Sequence, residues 1–136
     1  MRIVFDAGVV FSAAGWRGEA HLCLVAMARR RVIAFATADT LAELKRLVDQ
    51  IDFKTRHSPY TILDWYYRTV KISAPAPLGK QRSRDVKDDP YLACALGANA
   101  AAIVSRDEDL LVLGKPFGVE IITPRDLLTR LARPLD

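Results

Sequence analysis

Histidine and cysteine are scarce in this chain, with two of each in 136 residues. His21 lies on an apolar helical stretch, and His57 precedes Ser58-Pro59 and reads as solvent-facing, so no Ser–His–Asp arrangement is supported. Cys23 and Cys94 each sit in an apolar helical pattern. Two such cysteines form no disulfide framework and read as reduced, buried thiols of a cytoplasmic protein. No stretch approaches the roughly 18 consecutive apolar residues of a membrane span, so no membrane partner is expected. The opening Met1-Arg2-Ile3-Val4-Phe5-Asp6 meets an acid too early for a signal peptide. Gly15-Trp16-Arg17-Gly18 lacks the pattern of a phosphate loop. Internal repeats and low-complexity tracts are absent.

What is present is an ordinary core and an uneven charge. Hydrophobic residues make up 51% and charged residues 26%, which excludes wholesale disorder. The length predicts a single domain over 1–136. Twenty basic and 16 acidic residues give a net charge of +4, which permits a polyanionic partner without requiring one. Positive charge is concentrated in Arg29-Arg30-Arg31 and in Lys80-Gln81-Arg82-Ser83-Arg84. The first run sits where a helix should end, and cations there suit the helix dipole.

Strands and helices alternate. Short β-branched or apolar runs predict strands over 2–5, 32–36, 70–72, 101–104 and 119–122. Asp6-Ala7-Gly8 reads as a turn, followed by a helix from about Trp16 to Arg30. Thr40 and Glu43 have capping-box spacing ahead of the stripe Leu41, Leu44, Leu47, Val48. A helix is expected over 58–69, then an extended connection through Pro75 and Pro77. Asp89-Pro90 reads as an N-cap and first turn, Asp107 opens a short helix stopped by Gly114, and Thr123-Pro124 opens a last helix that Pro134 ends. The expected fold is a three-layer α/β/α sandwich with a mainly parallel central sheet.

In such a fold, chemistry gathers at the carboxyl ends of the strands. Asp6, Asp107 and Asp109 follow predicted strands, while Glu43 and Asp88 sit near helix starts. Each alone could be a turn or cap residue. Together they would crowd negative charge at one sheet edge, a state that a hard divalent cation relieves.

The order and spacing of these blocks resemble the PIN domain family over nearly the whole chain. The blocks are Asp6 after Ile3-Val4-Phe5; Leu41-Ala42-Glu43-Leu44; Asp88-Asp89-Pro90-Tyr91-Leu92-Ala93-Cys94-Ala95-Leu96; and Ile103-Val104-Ser105-Arg106-Asp107-Glu108-Asp109-Leu110-Leu111. Gly118-Val119-Glu120-Ile121-Ile122-Thr123-Pro124 is similar to the closing strand and helix. Within the family, the chain looks most like the toxin components of bacterial toxin–antitoxin pairs. The resemblance implies a ribonuclease dependent on Mg²⁺ or Mn²⁺, a homodimer, and a small antitoxin partner. It implies Asp6, Glu43, Asp88 and Asp107 as catalytic acids, with Asp6, Asp88, Asp107 and Asp109 around the metal. Lys80, Arg82, Arg84 and Lys87, just before Asp88, are the candidate RNA contacts. Trp65 and Tyr67 are candidate interface aromatics.

One departure is plain. The family commonly follows its first Asp with a hydroxyl residue and Asn, where this chain has Ala7-Gly8, and Ser12 is the nearby hydroxyl. That departure supports the alternative of a catalytically weak or inactive scaffold binding RNA or a protein. A phosphoaspartate receiver would need paired acids after the first strand, and a haloacid-type phosphatase would need Asp where Gly8 stands.

Overall fold

A computed structural model describes residues 1–50, 59–83 and 85–133. Five strands, β1 (Arg2–Phe5), β2 (Ile33–Ala36), β3 (Lys71–Ile72), β4 (Ala102–Val104) and β5 (Glu120–Ile122), form one sheet in the order β3-β2-β1-β4-β5. Every pairing is parallel, with Val4 opposite both Phe35 and Ile103. Successive side chains of a strand point to opposite faces. Ile3, Val4, Phe5, Ala102, Ile103 and Val104 are all buried, so both faces of the central strands are covered. The expected layered α/β fold is therefore the observed one.

The helices are α1 (Ala7–Gly15), α2 (Glu19–Ala28), α3 (Ala38–Gln50), α4 (Pro59–Thr69), α5 (Asp89–Gly97), α6 (Glu108–Leu111) and α7 (Pro124–Ala132). Several boundaries differ from the sequence reading, and each difference has a local cause. The expected turn at Asp6-Ala7-Gly8 is the start of α1, with Asp6 as its N-cap accepting from Gly8 N. That helix is apolar nearly all round, so no polar stripe marks its period. The capping box falls three residues earlier than expected. Thr37 N donates to Thr40 Oγ1 and Thr40 N to Thr37 Oγ1, at 2.9 and 3.2 Å. Glu43 thus has no part in the cap. Asp89 is the first residue of α5 rather than its cap, and its carboxylate accepts from Arg82 N and Ser83 N. Asp88 holds the cap position with no side-chain cap bond. Thr123 caps α7 as expected, in a capping box with Asp126. Gly114, at φ +70°, stops the turn after α6. Pro134 and His57 lie outside the described residues. Among those described, no helix is long and apolar enough to cross a membrane.

Cys23 and Cys94 are buried and unbridged, and burial pushes both thiols up to about 12. Thiolate chemistry is thereby suppressed near neutral pH.

The Pro-rich connection after β3 crosses α5, where Ala76 N donates to Ala93 O. A Cβ on Gly97 would lie 2.0 Å from Ala74 O, which only a backbone shift could relieve. Gly97→Ala is expected to destabilise the protein by about 1–3 kcal/mol through overpacking, although alanine is the better helix former. Urea unfolding of the variant checks this, and a midpoint equal to wild type would contradict the close approach.

Candidate functional site

Because all strands are parallel, their carboxyl ends share one edge, and the segments leaving β1, β2 and β4 meet there. Asp6, Glu43, Asp88 and Asp107 all line one cleft of about 380 Å³ at this edge. Three devices deliver them. Asp6 leaves β1 and caps α1, and Asp107 leaves β4 and caps α6 by accepting from Asp109 N. Glu43 projects from the second turn of α3. Asp88 ends a short 3-10 turn, Val86–Asp88, that runs into α5.

Ser105 ties two of these acids together. Its hydroxyl donates to Asp6 Oδ2 at 2.6 Å and accepts from Asp107 N at 2.9 Å. It is a positioning residue that the sequence reading missed, although it stood in the quoted block. Ser12 does not serve Asp6; its hydroxyl accepts from Arg106 at 3.5 Å. The glycine at position 8 is no steric demand, since a Cβ there would meet only Asp6 Oδ1, at 3.8 Å.

The carboxylates are not equivalent. Glu43 is held by Arg46 in two hydrogen bonds, at 2.9 and 2.6 Å, so its charge is partly answered on its own helix. Burial raises the pKa of Asp6, against the lowering effect of Ser105 and Gly8 N, and the charges of Asp107 and Glu43 raise it further. Asp88 is the most perturbed. It is 7% exposed, and its Oδ2 is buried without a hydrogen-bond partner among the described residues. Burial first, then the adjacent Asp107, push it up to about 7. A buried oxygen left unsatisfied is costly unless something answers it.

Asp88 also belongs to a second acidic group. One carboxylate oxygen from each of Asp85, Asp88 and Asp109 lies within 4.8 Å of the others. Asp109 is therefore beside Asp88 rather than in the lining of the first cleft. Asp85 was not singled out from sequence, where it reads only as one acid in a mixed-charge run; in the structure it caps the 3-10 turn and lines the cleft. The donors of both groups are hard carboxylate oxygens, and together with the orphaned Asp88 Oδ2 they fit a hard divalent cation.

The basic candidates divide. Lys87 lines the cleft, as does Arg106, which sequence reasoning did not select. Lys80 and Arg82 do not. The Arg82 guanidinium donates to Leu78 O and lies 5.1 Å from the Phe117 ring centroid. Arg84 lies outside the described residues. Trp65 and Tyr67 pack partly against the core, whereas among the described residues Trp16, Tyr60 and Phe117 are the aromatics exposed by about half.

The raised Asp88 links stability to pH. Its ordinary value is 3.8 and its folded value about 7, so between these the folded state binds more protons than the unfolded state. Stability of the metal-free protein is expected to fall as pH rises from about 4 to about 7 and then to flatten, with Asp88→Asn losing that component of the slope. Denaturant midpoints across the window, in chelator, check this; a wild-type slope that Asp88→Asn leaves unchanged would refute it.

The PIN domain family model matches residues 2–109, a span that holds Asp6, Glu43, Asp88, Asp107 and Asp109. A comparison with curated proteins returns no match. Among solved structures, PAE2754 from Pyrobaculum aerophilum is 20% identical with a TM-score of 0.63, covering 97% of this chain and 90% of that one. VapBC2 from Rickettsia felis, crystallised bound to a DNA fragment from their promoter, is 14% identical with a TM-score of 0.62, covering 90% of this chain and 98% of that one. At such identities these two likenesses speak to the fold. The family match over most of the chain means that this chain belongs to the PIN domain family.

Proposed function

We propose that the protein is a metal-dependent ribonuclease that hydrolyses RNA phosphodiester bonds, acting in the cytoplasm as the toxin of a toxin–antitoxin pair. The observation that carries this reading is the gathering of Asp6, Glu43, Asp88 and Asp107 in one cleft with the Asp88 Oδ2 buried and unanswered. Family membership supports nuclease chemistry, and the likeness to VapBC2 supports a small antitoxin partner. Exposed aromatic residues, Trp16 and Tyr60 among them, support a homodimer.

In this reading Asp6, Asp88 and Asp107 hold Mg²⁺ or Mn²⁺, with Asp85 and Asp109 bordering them through Asp88. A divalent cation there supplies charge to a phosphate oxygen and lowers the pKa of a water nucleophile. The chain's own residues do the rest. Ser105 fixes the Asp6 carboxylate and the backbone that carries Asp107. Glu43, steadied by Arg46, closes the rim of the cleft. Lys87 and Arg106 place positive charge on a wall that would otherwise repel the phosphates of an approaching strand.

The alternative reading, a weak or inactive scaffold, rests on Ala7-Gly8. Ser105 and Gly8 N already give Asp6 two hydrogen bonds, so the departure leaves it supported. The two readings differ in one assay. Wild type is expected to cleave RNA with Mg²⁺ or Mn²⁺ and to stop in chelator. Asp6→Asn and Asp107→Asn should each lower cleavage by about 100-fold or more, because each removes a ligand charge. Melting temperatures in chelator should hold, since asparagine caps a helix about as well as aspartate. Cleavage at the wild-type rate by Asp6→Asn would remove its assigned role; no cleavage by wild type on varied RNAs with Mn²⁺ would overturn the nuclease reading and favour the scaffold.

A further inference from the structure

The amino edge of the sheet, opposite the acidic cleft, carries a second pocket of about 400 Å³ between the ends of α2 and α4. Arg30, Thr69 and Lys71 supply its polar lining, over an apolar floor that includes Met27 and the exposed Ile33. Among the described residues no carboxylate lines it. Among the described residues neither Arg30 nor Lys71 has an ion pair or a side-chain hydrogen bond. The sequence neighbours of Arg30, Arg29 and Arg31, line a separate pocket against α7 instead, where Arg31 donates to Leu131 O.

The backbone singles out Arg30. Helix α2 ends in a Schellman turn, with Arg30 N donating to Met27 O and Arg31 N to Ala26 O. The residue at the turn's left-handed position is Arg30, at φ +60°. Glycine or asparagine is the usual choice there, because a Cβ is disfavoured. The same turn at the end of α5 follows the rule, with Asn99 at φ +53° and Ala100 N donating to Ala95 O. The favourable placing of cations at a helix C-terminus is met by Arg29 and Arg31 on either side, so it does not explain arginine in the strained position.

We propose that this pocket binds a phosphate of an RNA strand through Arg30 and Lys71, with an adjacent base resting on the apolar floor. The site is distinct from the acidic cleft, whose carboxylates repel RNA when no cation is present. The inference rests on RNA as the substrate class. Binding of a fluorescein-labelled oligouridylate, followed by anisotropy in chelator, tests it without cleavage. Wild type should bind, and Arg30→Gly and Lys71→Gln should each weaken binding about fivefold near 0.1 M salt while reducing the slope of log K against log salt by about 0.7. Arg30→Gly should do so without lowering the melting temperature, a combination that a merely structural arginine would not produce. Equal affinity and slope in both variants overturns the proposal, even if wild type cleaves RNA with metal. No RNA binding in chelator at low salt also overturns it, and leaves the edge to an acidic protein segment. Binding that responds to both variants in a protein that never cleaves leaves this site standing and overturns the nuclease reading alone.

Discussion

The Ser105 hydroxyl sits between two backbones that would otherwise be independent. By donating to Asp6 and accepting from Asp107 N, it joins the exits of β1 and β4 at the point where their acids face one cleft. Parallel pairing puts those exits side by side: Asp6 N donates to Val104 O, and Ser105 N to Ile122 O, so three strands end in register. Helix starts then take over. Asp6 and Asp107 each spend one oxygen on a cap, which fixes their rotamers and leaves the other oxygen toward the site or its supports. Capping and site geometry are therefore one arrangement, not competing explanations of the same residues.

Like charge is the strain that this arrangement contains. Asp88 bears most of it, buried beside Asp107 on one side and near Asp85 and Asp109 on the other. Its neighbour Asp89 is spent on the amides of Arg82 and Ser83, holding the loop that leads into α5. Two adjacent aspartates thus divide the work, one anchoring the chain and the other left with an unsatisfied oxygen. The choice between them is invisible to composition and follows from their places, Asp88 ending the 3-10 turn at Val86–Asp88 and Asp89 opening α5.

Charge is also segregated along the strand direction. Acids gather at the carboxyl edge, while Arg29, Arg30, Arg31 and Lys71 gather at the amino edge. The modest net charge of +4 conceals this separation. A polyanion meeting the protein would see attraction at one edge and, without a cation, repulsion at the other.

The sequence alone determined the layered fold and the strand positions, because short apolar β-branched runs and helix-start chemistry are local signals. It also offered Asp6, Glu43, Asp88 and Asp107 as candidate acids, because strand exits and helix starts in a parallel sheet share an edge and because their order resembles the PIN domain blocks. It missed α1, whose uniformly apolar surface erases helical periodicity, and it placed one capping box at Thr40–Glu43 when Thr37 and Thr40 cap each other. Tertiary structure decided the rest. Ser105 became a bridge because β1 and β4 pair, Asp85 and Asp109 met at Asp88 across the chain, and Arg106 entered the cleft where Arg82 turned to Leu78 and Phe117. These outcomes depend on contacts between residues far apart in sequence, and a linear pattern carries no information on which of several nearby polar side chains such contacts will select.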